Sequence, residues 1–543
     1  MSDAITEVLD YHEASKHRLD RYAPGPGGLD WATQPDPFRR YDGAPLIPLD
    51  HIKPEAGPLY ETVFMEGKLP APPLNRGTLS QLFYDSLALS AWKQAGDVRW
   101  ALRVNPSSGN LHPTEGYLIC GPVPGLCESP MVCHYAPREH ALERRLEFPV
   151  GVWETLSAGL PDGVVFVGLT SIHWREAWKY GERAFRYCQH DTGHAIGAIS
   201  LAVAGLGRKA VIMDDLSTES LGSLLGVFDA QGAEAEQPEC LLAIASQEQQ
   251  ISAQSLPEDL IANFKTRSWK GKPNHLSPSH VDWPLIPRVA GATRKPSTDK
   301  VYEKAEPKTK PLEIGTAPVS FRKIVHQRRS CLGLDKKTGL ARHALYEILR
   351  KTVSGPGQFP FNALPWRPMI HFGLFIHRVE DLDPGLYFLL RDPSRLEGLK
   401  TAMKKEFAWE KAPSSPDELG LYALASGDAR DIARQVSCHQ DIAADGCFSL
   451  GMIAEFEAPI REYGPWFYPR LFWEAGLIGQ VLYLEAESCG IRGTGIGCFF
   501  DDTMHRLLGL EGRRFQDLYH FTLGGPVLDD RLTTLPAYPE LKP

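Results

Sequence analysis

The residues that decide the fold are Trp174-Arg-Glu-Ala-Trp-Lys-Tyr-Gly-Glu-Arg-Ala-Phe-Arg-Tyr-Cys-Gln-His-Asp-Thr-Gly-His-Ala-Ile-Gly-Ala-Ile-Ser-Leu-Ala-Val-Ala-Gly-Leu206. Trp178, Phe185, Cys188, Ile196, Ile199 and Val203 recur along it at helical spacing, which predicts the longest helix of the first half. Gly193, Ala195, Gly197, Ala198 and Ala202 are small enough for another helix backbone to come close. Glycine weakens a helix relative to alanine, so its repeated use here predicts a tight helix–helix contact.

The pattern occurs twice. Tyr180-Gly181, Asp191-Thr-Gly193 and Leu224-Leu-Gly226 match Tyr463-Gly464, Glu474-Ala-Gly476 and Leu507-Leu-Gly509, each 283 positions later. Asp214-Asp215 and Asp501-Asp502 precede the Leu-Leu-Gly of each copy. Three matches at one offset predict an internal duplication. A duplicated unit built on a close-packing helix predicts a fused homodimer with its sites at the seam.

The expected domains are an extended arm over 1–75, a first repeat over 76–262, a linker over 263–318 and a second repeat over 319–543. The arm is rich in Pro, Gly and aromatics without sustained periodicity. Lys265–Lys310 holds 11 Lys and Arg against 4 Asp and Glu, with six prolines, and reads as an extended segment with a solvated basic face. Leu79–Lys93 has helical spacing, while Tyr117–Cys120 and Val164–Leu169 read as strands.

A chain of 543 residues, 43% hydrophobic, can bury two or three real cores. Its net charge of −9 gives no support to a nucleic-acid partner, which calls for a basic face. No apolar run reaches the length of a membrane span, and Met1–Leu9 carries Asp3 and Glu7 where a signal peptide would be apolar. The ten cysteines show neither C-x-x-C nor zinc-ligand spacing, so reduced thiols and no metal are expected. The expectation is a soluble, cytoplasmic protein.

The chemistry concentrates in Arg103-Val-Asn-Pro-Ser-Ser-Gly-Asn-Leu-His-Pro-Thr-Glu115. Pro106, Gly109 and Pro113 make it a shaped loop. Such a loop presents Ser107, Ser108 and Asn110 to a planar polar ligand or an oxyanion, or else spends its serines on its own backbone. Arg328-Arg-Ser330 offers two guanidinium forks and a hydroxyl suited to a phosphate dianion.

Leu79-Ser-Gln-Leu82, the 103–115 loop and Lys179-Tyr180 with Arg183-Ala-Phe-Arg-Tyr187 are followed by Arg328-Arg-Ser330 and Gly495-Ile-Gly-Cys-Phe-Phe-Asp-Asp502. This succession resembles the SagB/ThcOx-type branch of the nitroreductase superfamily, over about 76–250 and 320–530. The resemblance implies an α+β fold of two nitroreductase-like domains, each a central, mainly antiparallel sheet flanked by helices, paired as an intramolecular pseudo-dimer that binds FMN at the seam. It implies that Arg328, Arg329 and Ser330 hold the phosphate. Pro106, Ser107, Ser108 and Asn110 would face the ring and ribityl chain, with Gly495, Ile496 and Gly497 close to the ring. Lys179 and Tyr180 become the catalytic candidates.

The reciprocal site reads as damaged. Asn75-Arg-Gly-Thr78 is a poor substitute for Arg-Arg-Ser, and Phe359-Pro360-Phe361 stands where the serines belong, although Asn362 and Pro365-Trp366 are kept. Glu462-Tyr463 replaces Lys-Tyr. One FMN per chain is expected. The implied activity is dehydrogenation of an azoline-type heterocycle in a modified peptide or other small molecule. The alternatives are an NAD(P)H-dependent nitro or quinone reductase and a non-catalytic scaffold of a biosynthetic complex. Glu182, Arg183 and Arg186 read as helix-surface pairs, and Asp191 and Glu474 as groups that orient helix packing. Cys438-His439 reads as strand residues pointing apart, and His112 as a group able to reach substrate or flavin.

Overall fold

The computed structural model describes residues 2–52, 57–251, 256–298, 302, 319–353 and 358–538. Two seven-stranded antiparallel sheets dominate it. Across the first, the strands are Leu46–Pro48, Ala141–Glu147, Met131–Ala136, Thr114–Cys120, Val165–Ile172, Glu236–Ser246 and Arg208–Ile212. Across the second they are Glu410–Lys411, Gly420–Ser426, Gly385–Leu390, Ile370–Ile376, Phe448–Glu455, Phe515–Gly524 and Arg492–Ile496. The orders correspond position by position except at the outer edge. There the first sheet takes a strand from the N-terminal arm and the second takes one from within its own half.

Each sheet is buried on both faces. In Thr114–Cys120, alternation turns Leu118 and Cys120 toward the central core and Tyr117 and Ile119 toward an outer layer. That layer holds the helix Thr218–Leu225 in the first half, and its counterpart in the second half holds Asp501–Leu508. Both helices end on the duplicated Leu-Leu-Gly, with Gly226 and Gly509 in the left-handed conformation that closes a helix without a Cβ clash.

Between the sheets lie the helices Ala184–Ala204 and Tyr468–Ser488, buried along almost their whole length. They cross backbone to backbone. A Cβ added at Gly193 would sit 2.2 Å from the Trp473 carbonyl oxygen, and one at Gly476 would sit 2.1 Å from that of His190. The two glycines that the offset pairs are the ones that meet. One continuous apolar core runs through this seam from Val8 to Leu523.

The predicted 174–206 helix is interrupted. His173–Tyr180 ends at Gly181, φ +54°, and the central helix starts after a short 3-10 turn. The same break recurs at Gly464 in the second half, and in the first the arm packs on it, since Glu182 N donates to the Pro24 carbonyl (3.0 Å) and a Cβ at Gly181 would strike that oxygen. The predicted helix over Leu79–Lys93 is also shorter. Arg76–Tyr84 is helical, but Leu89–Ala95 is a strand paired with Val98–Arg103, where Leu89 and Ala91 are buried with period two.

The arm carries more structure than its composition implied. Ser2–Ala14 is a helix with Val8, Leu9 and Tyr11 buried, and its end reaches the second half through His12 Nε2 to Gln516 (3.0 Å) and Lys16 to Asp502 (3.0 Å). The C-terminal strand Thr533–Leu535 reciprocates by pairing with Leu89–Ala95 of the first half. The basic segment is not uniformly solvated. Leu285–Ala292 is helical and Lys295 is buried, while residues 299–301 and 303–318 lie outside the described residues. Among the described residues no helix is long and apolar enough to cross a membrane.

Gly193→Ala should cost about 2–4 kcal/mol, because the added methyl meets backbone that cannot rotate away. Urea denaturation of the two proteins measures this, and an unchanged midpoint would refute so close a crossing.

Candidate active site at the seam

The Arg103–Glu115 loop is held from below by carboxylates. Asp191, on the central helix, accepts from Ser108 N (3.0 Å) and Ser108 Oγ (3.1 Å), and Glu176 Oε1 lies 3.5 Å from Ser107 Oγ. Ser107 Oγ accepts from His112 N (2.8 Å), and Asn110 donates to the Ala101 carbonyl (2.8 Å) while its Oδ1 meets His112 Nε2 (3.0 Å). Asn110 and His112 both have positive φ, 61° and 53°, so the loop is wound rather than extended. Glu115, tied to Arg175 and His134, fixes where it enters the sheet.

The second half supplies the rest. Arg328 is buried, and its Nη2 donates to the Arg103 carbonyl across the seam (3.0 Å). Arg329 donates to Ser90 Oγ (3.3 Å) and to the carbonyls of Ser90, His326 and Arg328. Tyr483 joins two of the predicted segments, since its hydroxyl meets Ser330 Oγ (2.9 Å) and accepts from Gly495 N (2.9 Å), with Arg328 over its ring at 5.1 Å. Burial pulls Arg328 below its ordinary pKa, and burial with the Arg328 charge pulls Arg329 to about 10.

Lys179 and Tyr180 lie against the same loop. A Cβ at Gly109 would be 2.6 Å from the Tyr180 hydroxyl and 3.0 Å from Lys179 Nζ, and that nitrogen stands 5.4 Å from the centre of the Tyr180 ring. Burial, and then Glu176, push the Tyr180 phenol well up, so it is a neutral donor. Burial and then Asp191 push Glu176 well up, while burial lifts Asp191 to about 7 against its hydrogen bonds from the serines.

The structure thus brings together Ser107, Ser108, Asn110, Lys179, Tyr180, Arg328, Ser330 and Gly495, with Pro106 buried at the loop's root. Gly495 makes room for the Tyr519 hydroxyl and Gly497 for the Tyr187 ring, while the Ile496 side chain points into the outer core. Glu182, Arg183 and Arg186 are buried, not surface pairs. Arg183 (3.0 Å) and Arg186 (2.6 Å) share Asp501. Asp191 and Glu474 hold loop backbone, the latter accepting from Met369 N (3.0 Å).

The polar atoms left over fit a phosphate-bearing, planar group such as FMN. Arg328 Nε, Arg103 Nε, His112 Nδ1 and Asn105 Oδ1 are buried without partners, while Ser330 and Gly109 are exposed at the mouth. Buried guanidiniums paired only with carbonyls are what an anion would complete.

At the pseudo-symmetric position the chain places its own side chains, beside a cavity lined in part by Asp214, Leu216, Lys295 and Arg470. The Tyr302 hydroxyl donates to Asp214, and its ring packs on Tyr463 (5.2 Å), Trp366 (5.9 Å) and Phe467 (6.2 Å). Lys295 Nζ donates to the carbonyls of Pro296 (3.1 Å) and Leu216 (3.3 Å) above the Trp466 ring. Arg470 closes on Asp214.

A solved structure of a candidate nitroreductase from Anabaena variabilis superposes with a TM-score of 0.70 over 96% of this chain and 99% of its own, at 22% identity. The chain has a nitroreductase-like fold. A candidate nitroreductase from Ralstonia eutropha matches 42% of this chain and 98% of its own at 17% identity, with a TM-score of 0.27. The microcin synthetase complex of Escherichia coli, with a truncated peptide bound, matches 40% and 77% at 16% identity, also with a TM-score of 0.27. Only the first likeness is close enough to bear on the fold. No protein-family model and no curated protein matches the chain.

Sequence reasoning missed Tyr483, the junction of two motifs, and the loop-holding use of Asp191. Nothing near Tyr483 marks it, but the pairing of Asp191 with Glu474 was visible in the duplication.

A carboxyl raised in the folded state holds its proton there more tightly than in the unfolded chain, so Asp191 lowers stability as pH climbs from about 4 to about 7. Asp191→Asn cannot ionise. The stability difference between wild type and variant should therefore drift across that window by up to about 1.4 kcal/mol per pH unit. A constant difference in denaturation at pH 4.5, 6 and 8 would refute the assignment.

Proposed function

We propose that the chain is an FMN-dependent oxidoreductase with one composite site, acting as a dehydrogenase on an azoline-type heterocycle in a small molecule or modified peptide. The observation that carries this reading is Arg328, buried across the seam against the Arg103 carbonyl with its Nε unpaired and Arg329 beside it. Arg328, Arg329 and Ser330 would hold the phosphate. Ser107, Ser108 and Asn110 would border the ring and ribityl chain. Bound there, FMN would supply the acceptor for a hydride from carbon.

The chain's own residues supply the proton chemistry. Lys179 Nζ, acting as the free amine, takes the proton from the carbon beside the one that gives up the hydride, and Tyr180, neutral because it is buried beside Glu176, donates a hydrogen bond to the ring heteroatom. Asp191 and Glu176 keep the serine loop in place beneath them. Tyr302 and Lys295 occupy the second position, which supports a single flavin per chain.

Flavin released from the purified protein should approach one FMN per chain, and Arg328→Ala should lose most of it. A ratio near two, or full flavin in that variant, would overturn the composite site. Lys179→Met and Tyr180→Phe should keep the flavin while oxidation of an azoline-bearing peptide falls about 10²–10⁴-fold. Rapid bleaching by NAD(P)H with no azoline oxidation would replace the dehydrogenase reading with a reductase.

A further inference from the structure

Beside the second seam a cavity of about 50 Å³ lies between the central helices, the strand Glu236–Ser246 and the helix Leu285–Ala292. The matching place in the other repeat is filled. There the end of the N-terminal helix lays the His12 ring on Phe456 (4.3 Å) and sets His12 Nε2 on Gln516 Oε1 (3.0 Å). The repeat offset puts His173 in the place of Phe456 and Phe185 in that of Tyr468. Strand register puts Gln237 in the place of Gln516 and Glu239 in that of Leu518. His173, Phe185, Gln237 and Glu239 all line the cavity. What the arm plugs in one repeat stays open in the other, and an imidazole and a carboxylate stand where the filled copy has Phe456 and Leu518.

Local structure holds both groups in place. Glu239 is the extra residue of a β-bulge, between Pro238 opposite Thr170 and Cys240 opposite Leu169, and a bulge re-aims the side chain it carries. Gln189 donates to Glu239 Oε1 (2.9 Å) and accepts from Trp473 Nε1 (2.6 Å), so both central helices steady the carboxylate. His173 is only 8% exposed, yet its Nε2 makes no hydrogen bond among the described residues and lies 3.9 Å from Glu239 Oε1. A buried ring nitrogen that faces a cavity unpaired is completed by what enters. Most other charges on the lining are committed. Arg470 and the Tyr302 hydroxyl are on Asp214, and Lys295 Nζ donates to the carbonyls of Pro296, Leu216 and Asp215. Arg294 is different. It is exposed at the opening, and its guanidinium makes no hydrogen bond or ion pair among the described residues.

We propose that this cavity binds a small zwitterion, an amino acid with its ammonium on Glu239 and His173 and its carboxylate toward Arg294. Glu239 alone would favour any cation, and Arg294 alone any anion. Both on one cavity select a molecule that carries both charges. The ammonium gives a charge-assisted bond to the Glu239 carboxylate and a second bond to the unprotonated ring nitrogen of His173. Phe185, Leu241 and Trp473 surround the short carbon chain with apolar wall. The space holds about three to five waters, which limits the ligand to about five or six heavy atoms. The helix that His173 opens ends at Lys179 and Tyr180, and Gln189 stands two residues before Asp191. A ligand here rests on the two elements that carry the candidate active site.

Isothermal titration of the full-length protein with glycine, L-alanine and β-alanine should give a Kd of about 1 mM or tighter for at least one of them. Methylamine and acetate, each with one of the two charges, should bind about tenfold or more weakly than that amino acid. Glu239→Gln removes the charge at the floor, and Arg294→Gln, at an exposed position, removes the one at the opening. Each should weaken the amino acid about tenfold or more. His173→Phe, which installs the residue of the filled copy, should abolish the binding heat. No heat with any of the three amino acids, or acetate or methylamine binding as tightly as they do, would overturn the proposal. So would unchanged affinity in Arg294→Gln, or in a Glu239→Gln variant that melts like wild type.

Discussion

Everything in this molecule depends on two helices that touch without side chains between them. Gly193 and Gly476 lie where the central helices cross, and each backbone fills the space that a Cβ on the other would need. That contact fixes how far apart the two sheets stand and which loops meet at the seam. It also explains why two glycines, costly inside a helix, stand at matched positions of the repeat.

Around that axis the halves hold one another. The end of the N-terminal helix reaches the second half, and the C-terminal strand completes a sheet of the first. Asp501 gathers Arg183, Arg186 and the backbone N–H of His17 into one buried group, so the arm, the first central helix and the second half's outer helix share a single carboxylate. Burial alone would raise that acid, but the two guanidiniums override it and hold its pKa far down. The same Arg183 reaches the closing segment beside Cys498, which couples the scaffold to the rim of the candidate site.

Duplication creates two equivalent seams, and the chain treats them differently. One keeps basic and hydroxyl groups with unpaired donors. The other has drawn Tyr302 and Lys295 into its place, with Arg470 turned onto Asp214. Once two subunits are fused, each copy of a residue can change alone.

The constant offset of 283 positions was enough to read the duplication, the helix pair and their glycine contact from residue order, because a close crossing leaves its mark on composition wherever it occurs. Arg328, Ser107, Ser108, Lys179 and Tyr180 could be singled out as types of residue in a familiar succession. Only the tertiary structure decided what each one faces. Tyr483 bridges Ser330 and Gly495, and Gly497 yields to Tyr187. Arg183 and Arg186 go inward to Asp501. These contacts join residues up to hundreds of positions apart. Local periodicity reports which face of an element is apolar, but it carries no term for which distant side chain will arrive there.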